Sequence, residues 1–417
     1  MSAAPPGPSI PLLSTKLSAS AKRLLAIRGA RSLGQGALVV DFALYLHSLH
    51  WSAVAIGTLY SVSLLLGGLA TLLVGPASDR FGARRFLLAY EGVQVLAAVL
   101  ALSSSNALVL GLAAVLGSFG RGANGAAGPF APAEQAWLSR LVPQEIWGRV
   151  LPLNTAIGLL GMGMGAALAA LPGLLAPALP EQSGYRALFL LVLGGALFSL
   201  WLLFTSTEPA SAQSEEEATA EIDANPRKPW RSLLILGGIN SLNGLGIGLI
   251  GPLLAYWMHL RFHVGAALIG PGMALAFCTA AASSLFSIRL NARFGMLGTV
   301  LGLRLLGLLM LLAIPLAPTF AWAMLAYILR SAMNQGSIGN RQALFLGIVA
   351  APHRGLAATV NSLSIQAPRA IGPAIAGLFF AAGTLSWPFY LGASLQALYL
   401  LFFTRFFARR QSTQSLP

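Results

Sequence analysis

The sequence predicts an all-α integral membrane protein with twelve transmembrane helices. Of its 417 residues, 56% are hydrophobic and only 9% are charged, and the mean hydropathy is +0.74. A water-soluble globule of this length needs more polar surface than that, whereas lipid requires none. Twelve apolar stretches fill almost the whole chain, and most are long enough to cross a hydrocarbon core of about 30 Å.

Each stretch is predicted to be a helix because it is continuously apolar. Barrel strands alternate in short segments, and only helices and closed barrels satisfy all their backbone hydrogen bonds in lipid. The predicted helices cover residues 25–48, 53–74, 86–104, 106–128, 151–175, 186–205, 232–258, 266–288, 297–316, 319–341, 358–382 and 386–407.

The two halves of the chain resemble each other at a nearly constant offset. Residues 36–45 align with residues 247–256, and the Arg-Phe-Gly triplet at 80–82 aligns with the same triplet at 293–295, at offsets of 211 and 213. Two further aligned pairs, at offsets of 209 and 207, are Arg121 with Arg330 and Asn154 with Asn361. The repeat predicts two six-helix bundles, residues 24–205 and 232–407, with a cavity at their interface.

Lysines and arginines predict the orientation in the membrane. In the twelve-helix topology nearly all of them lie on one side, and the opposite loops carry only Arg186 and Arg261. Basic loops face the cytoplasm, so both termini are expected there, with tails at residues 1–23 and 408–417 and a linker at 206–231. These dispersed residues account for the net charge of +14, so no nucleic-acid partner is predicted.

The turn between the second and third stretches combines glycines, an acid and several arginines. Gly75 and Gly82 permit a tight turn, and the Asp79 carboxylate lies near a helix terminus whose partial charge it complements. We interpret the turn as a latch that closes the cytoplasmic side; an ordinary solvated turn with basic anchors is the alternative. The predicted gate residues are Gly75, Asp79, Arg80, Gly82, Arg84, Arg85, Glu134 and Arg140.

Residues 75–85 resemble the signature of the loop between helices 2 and 3 in the major facilitator superfamily, a glycine followed by Asp-Arg-x-Gly and basic residues. The segment beginning Arg121-Gly-Ala-Asn124-Gly is similar to a helix 4 motif of that superfamily, with Asn124 where glutamine is usual. The resemblance implies a secondary transporter of the bacterial cytoplasmic membrane that is similar to the drug:proton antiporter branch of the superfamily.

Asp41 lies midway along the first stretch, between Val40 and Phe42. An acid at this depth is energetically costly and usually faces a cavity or a partner. We therefore predict that Asp41 carries the coupled proton; the alternative is a static ion pair with an arginine of the fourth or eleventh stretch. Glu91 lies close to the end of its stretch and is expected to reach the membrane surface.

Arginines outnumber acids inside the predicted helices. Each central arginine costs about 2.5–3.5 kcal/mol to insert unless it is paired, and Asp41 can serve only one or two of them. The other partners are an anionic ligand, backbone carbonyl groups or cavity water. The predicted substrate cavity contains Arg31, Arg121, Asn124, Arg330, Arg369, Tyr45 and Tyr256.

Other chemistries have no matching motif. The sequence lacks a Gly-x-x-x-x-Gly-Lys-Ser/Thr loop and any nucleophile–base constellation, so no ATP-driven pump, enzyme or cofactor is predicted. The i,i+4 spacing of His259 and His263 would suit a metal, but no carboxylate accompanies them, so interfacial anchoring or a pH-sensitive outer gate is favoured and no metal site is predicted. The favoured interpretation is a monomeric transporter in lipid that exports a small organic solute in exchange for protons. The alternatives are uptake or exchange of an organic anion, and a membrane receptor or scaffold that moves no solute.

Overall fold

The computed structural model describes residues 17–121, 128, 131–143, 146–172, 181–208, 227–346 and 354–414. These residues form fourteen helices, which confirms the predicted helical class. The helices are α1 (Ala19–Ser48), α2 (Ala53–Phe81), α3 (Ala83–Ser103), α4 (Ala107–Gly117), α5 (Ala131–Leu141), α6 (Trp147–Leu168), α7 (Glu181–Ala187), α8 (Phe189–Phe204), α9 (Arg227–Ile250), α10 (Leu254–Phe262), α11 (Ala266–Leu316), α12 (Phe320–Leu346), α13 (Arg354–Ala381) and α14 (Trp387–Gln414).

Polar residues define where the first helices begin. The Ser18 hydroxyl accepts a hydrogen bond from the Ala21 amide at 3.2 Å, and Asn106 caps α4 in the same way through the Leu108 amide at 2.9 Å. Such caps satisfy amide groups that have no partner within the helix. Gly82, with φ of 89°, lets the chain turn directly from α2 into α3.

The helices have the length and the surface of membrane-spanning segments. In the described part of the chain, seven helical segments are long and apolar enough to cross a bilayer. Large apolar side chains face outward along them: Leu73 is 73% exposed and Trp201 61%. A surface this apolar is unfavourable in water, so the chain is a multi-pass membrane protein.

Several predicted stretches differ in detail from the helices. The stretch at 232–258 is divided into α9 and α10 near Gly251, and the eighth and ninth stretches join in α11, which breaks at Gly295 with φ of 69°. The short helix α5 was not predicted, because its sequence is too polar for a membrane span. It carries Glu134 and places this acid inside the protein.

Three apolar clusters show how the helices of the two halves pack. The largest includes residues from both halves, among them Phe42 and Trp257, which lie at the end of the molecule remote from the α2–α3 turn. Two smaller clusters lie toward the α2–α3 turn, and each contains residues of one half only. The halves therefore share a core at one end and have separate cores at the other.

Glycines bring the helices of the two halves together at the end where the halves share a core. A Cβ atom at Gly57 on α2 would lie 2.3 Å from the carbonyl oxygen of Pro373 on α13. A Cβ atom at Gly270 on α11 would lie 2.5 Å from the carbonyl oxygen of Ala166 on α6. Larger residues would force the helices apart, because these neighbouring atoms belong to the backbone.

Candidate functional site

The first half contains a buried ion-pair network centred on Arg31 of α1. The Arg31 guanidinium donates hydrogen bonds to Glu91 Oε1 on α3 at 2.7 Å and to Glu134 Oε2 on α5 at 2.9 Å. Arg31 is 5% exposed, Glu91 0% and Glu134 1%. The expectation that Glu91 reaches the membrane surface is wrong, because its carboxylate is buried against Arg31.

Neighbouring side chains extend this network to α6. Arg28 Nη1 lies 3.7 Å from Glu134 Oε1, and Asn154 Nδ2 donates to the same oxygen at 3.0 Å. The Arg31 guanidinium also stacks 5.1 Å from the centre of the Tyr90 ring. Arg31, predicted to line the substrate cavity, thus has carboxylate partners within its own half.

The second half has a different network, centred on Arg304 of α11. The Arg304 guanidinium donates to Ser337 Oγ at 2.9 Å and to Asn243 Oδ1 at 3.2 Å. Both partners are neutral, and residues 224–417 contain no aspartate or glutamate. That composition is visible in the sequence, and it separates the two halves more clearly than any motif.

A cavity of about 250 Å³ lies beside Arg304. Its charged and amide-bearing lining residues are Arg304, Arg341, Arg369, Asn240, Asn334, Asn361, Gln342 and Gln366. A smaller space of about 50 Å³ is lined by Arg330 and shares Asn334 and Arg369 with the first cavity. Two predicted cavity residues, Arg330 and Arg369, are therefore close together.

The arginines of these cavities retain unused hydrogen-bond donors. Arg330 is 6% exposed and Arg369 4%. The Nε atoms of Arg330, Arg341 and Arg369 have no hydrogen-bond partner among the described residues. Arg369 Nη2 donates to the backbone carbonyl of Arg121 and so joins the two halves. Arg121 itself donates to the Tyr90 hydroxyl at 3.0 Å.

Asp41 lies apart from both cavities. It is 1% exposed, and the side chains around it on α1 belong to the apolar cluster shared by both halves. Neither carboxylate oxygen of Asp41 has a hydrogen-bond partner or a basic group within 4.0 Å in the described part of the chain. The alternative of an ion pair with a described arginine is therefore not realised in this structure.

The other predicted site residues have separate locations. Tyr45 packs against Tyr185 and Phe189, and the Tyr256 hydroxyl lies 3.3 Å from His47 Nδ1. Neither tyrosine lines the two cavities. Asn124 and the side chain of Asp79 lie outside the described residues.

At the α2–α3 turn, the structure reveals a residue that the sequence analysis missed. Glu208, assigned to the solvated linker, accepts hydrogen bonds from the backbone amides of Ala83 and Arg84, each at 2.9 Å. Arg140 Nη2 lies 3.6 Å from the same carboxylate. Of the predicted gate residues, Gly82, Arg84 and Arg140 thus meet around Glu208, whereas Glu134 belongs to the Arg31 network.

Arg84 fixes the end of α8 to this turn. Its guanidinium donates to the carbonyl groups of Leu203 at 3.1 Å and Phe204 at 3.0 Å. Basic groups at a helix C-terminus are favourable because the carbonyl groups there carry partial negative charge. Arg80 and Arg85 are exposed.

Apolar helices long enough to cross a bilayer, buried charged networks and an arginine-lined cavity define a multi-pass membrane protein with a candidate ligand site. The Major Facilitator Superfamily profile matches residues 24–239, just over half of the chain, so the chain belongs to this family. This result confirms the resemblance drawn from residues 75–85.

Known proteins agree with this assignment. Over 190 residues the chain is 28% identical to Multidrug resistance protein D of Escherichia coli strain K12, a match that covers 44% of this chain and 45% of that protein. The chain thus spans less than half of the length of this relative. A mutant of the nucleoside transporter NupG superposes with a TM-score of 0.71 at 14% identity, covering 93% of this chain and 99% of that one. A D-xylose-proton symporter gives 0.69 at 15% identity, covering 93% and 97%. At these identities the two structures establish the fold alone.

Proposed function

We propose that the protein is a secondary transporter that exports a small organic solute across the bacterial cytoplasmic membrane in exchange for protons. Family membership supports the transporter class, and the relative named for multidrug resistance supports export. Asp41 is the observation that carries proton coupling, because its carboxyl group is buried in α1 and has no hydrogen-bond partner among the described residues.

The physical argument concerns the charge of this carboxyl group. A carboxylate at the centre of a spanning helix costs about 2.5–3.5 kcal/mol on insertion scales, and the protonated form avoids most of this cost. When water enters from one side, the charged form becomes affordable and the proton leaves. A group that alternates between these two environments can couple proton movement to the conformational cycle.

Alternating access between two six-helix bundles, residues 24–205 and 232–407, accounts for the packing. We assign the α2–α3 turn, the linker at 206–231 and both termini to the cytoplasm. The shared apolar cluster then lies at the outer side, and the separate clusters lie at the inner side. This arrangement supports a conformation in which the halves are closed toward the outside and part toward the cytoplasm.

A transport assay with reconstituted protein tests the role of Asp41. In proteoliposomes with an imposed pH gradient, Asp41→Asn is expected to abolish gradient-driven movement of a fluorescent lipophilic cation or a fluorescent organic anion. Counterflow exchange of the same probe should continue, because it needs no net proton movement. Asp41→Glu is the matched control and should retain coupling. If Asp41→Asn still accumulates the probe under the pH gradient alone, the proton is carried elsewhere.

Uptake or exchange of an organic anion is the second candidate function. The arginine-lined cavity of the second half favours it, because a permanent cation would meet only positive charge there. The same proteoliposomes separate the two functions by the direction in which the probe moves relative to the proton.

A further inference from the structure

We infer that the second half binds the anionic group of a small solute, a carboxylate or a phosphate ester, between Arg304 and Arg341 with Arg369 nearby. This inference rests on the proposed transport function and names the chemical class of the transported solute. It places the binding site within the second half of the chain and not at the interface between the two halves.

The first argument is the charge of the cavity. Arg304, Arg341 and Arg369 line it, and the second half has no acidic residue to balance them. The Arg304 guanidinium lies 5.9 Å from the centre of the Tyr399 ring and Arg341 Nη1 lies 3.5 Å from the Tyr399 hydroxyl, so two positive groups meet at one side chain and repel each other. An anion between them removes this repulsion and supplies the missing negative charge.

The second argument comes from the internal repeat. At offsets of 207 to 213, three members of the first-half network align with residues of the second-half network or its cavity, both acids are replaced by arginines, and the arginine is replaced by an asparagine. The aligned pairs are Glu91 with Arg304, Glu134 with Arg341, and Arg31 with Asn243. The contacts support this alignment, because Arg31 bonds to Glu91 as Asn243 bonds to Arg304.

The difference between Arg31 and Asn243 accounts for the space beside Arg304 and Arg341 in the second half. In the first half, the long Arg31 side chain reaches between two carboxylates. In the second half, the equivalent residue is the shorter, neutral Asn243, and the two flanking positions are arginines. Space remains beside them, and a ligand carboxylate or phosphate between two guanidinium groups would reproduce the first-half arrangement with opposite sign.

The third argument is the remaining lining of the cavity. The unused Nε donors of Arg341 and Arg369 can complete the two-pronged hydrogen bonding that guanidinium groups form with carboxylates and phosphates. Asn240, Asn334 and Asn361 offer amide groups, while Phe345 and Phe403 supply apolar walls. The volume of about 250 Å³ fits a small organic anion with one ring or a short chain.

Equilibrium binding to the purified full-length protein tests the inference. Benzoate and phenyl phosphate are the anionic probes, and benzamide and benzyltrimethylammonium are the neutral and cationic probes of similar size. Calorimetry in a lipid-free detergent should detect both anions and neither of the other two. Stronger binding of the quaternary ammonium probe than of benzoate would overturn the inference.

Two substitutions locate the binding. Arg341→Gln is expected to weaken phenyl phosphate binding at least tenfold, and Arg341→Lys is expected to weaken it less, because it keeps the charge but loses the planar fork. Arg405→Gln is the matched control, since Arg405 is an exposed arginine on α14 away from the cavity. Equal affinity of Arg341→Gln and Arg405→Gln for phenyl phosphate would exclude this site.

A lipid phosphate has the same chemistry as a solute phosphate, so a third arm distinguishes them. Nanodiscs of phosphatidylcholine, with and without phosphatidylglycerol, should give the same affinity for phenyl phosphate. If phosphatidylglycerol blocks the probe in the wild type and not in Arg341→Gln, the site holds a lipid headgroup and the solute assignment is wrong. The binding measurements need no proton gradient, so their outcome is independent of the outcome of the Asp41 experiment.

Discussion

The two halves of this chain place buried arginines in equivalent networks and neutralise them in different ways. In the first half, Arg31 lies between two carboxylates, and the charges balance within the protein. In the second half, the described hydrogen bonds of Arg304 go to hydroxyl and amide groups, its guanidinium lies over the Tyr399 ring, and a cavity lies beside it. Under the inferred anion binding, one repeat serves as a fixed support while its copy holds a ligand.

The largest expected effect concerns stability. Arg31→Gln leaves Glu91 buried without its cationic partner and Glu134 with only Arg28, 3.7 Å away, and breaking a buried pair in this way costs about 3–5 kcal/mol. Arg304→Gln removes a charge that lacks a carboxylate partner, so we expect a change within about 1 kcal/mol, because lost hydrogen bonds are offset by relief of desolvation. Thermal unfolding of the two variants in the same detergent measures the difference. Equal destabilisation would remove the distinction between the halves.

Sequence reasoning predicted the helical class, the family and the need of the buried arginines for partners, because each follows from local composition or a short motif. It did not find which partners they have. Glu134 was assigned to the gate because it follows the fourth stretch, but the polar helix α5 carries it back against α1. Arg31 contacts Glu91 and Glu134, which lie 60 and 103 residues away in the sequence. Such contacts depend on how the helices pack, and the periodicity of a sequence does not specify that packing.

Glu208 escaped prediction for a related reason. Its surroundings in the sequence are polar and acidic, which is typical of a solvated linker. Only the turn of the chain at Gly82 brings the amides of Ala83 and Arg84 to its carboxylate. The absence of acids after residue 223 was visible in the sequence, and its meaning emerged when the cavity was located.

The second prediction concerns a substitution that gives the second half a carboxylate like that of the first half. Arg341→Glu places an acid beside Arg304, at the position that aligns with Glu134. The new charged contact is expected to stabilise the ligand-free protein by about 1.5–3 kcal/mol, the scale of a hydrogen bond to a charged group. It should also abolish binding of phenyl phosphate, because the introduced carboxylate competes for Arg304. A variant that binds phenyl phosphate as tightly as the wild type would contradict the comparison.

The smallest expected effect concerns the two copies of the Arg-Phe-Gly turn. In the first half, Glu208 caps α3 directly after Gly82, whereas a Cβ atom at Gly295 in the second copy would meet nothing within 4 Å. Glu208→Gln keeps one acceptor oxygen but loses the charge that favours a helix N-terminus, which is worth about 0.3–1 kcal/mol. We expect faster hydrogen exchange of the Ala83 and Arg84 amides and unchanged exchange near Gly295. Asp79→Asn, in the same turn, should leave that exchange unchanged but slow transport, as the proposed latch requires. If Glu208→Gln leaves the α3 amides as protected as in the wild type, the carboxylate is not what holds this turn, and Arg84 alone ties α3 to the end of α8.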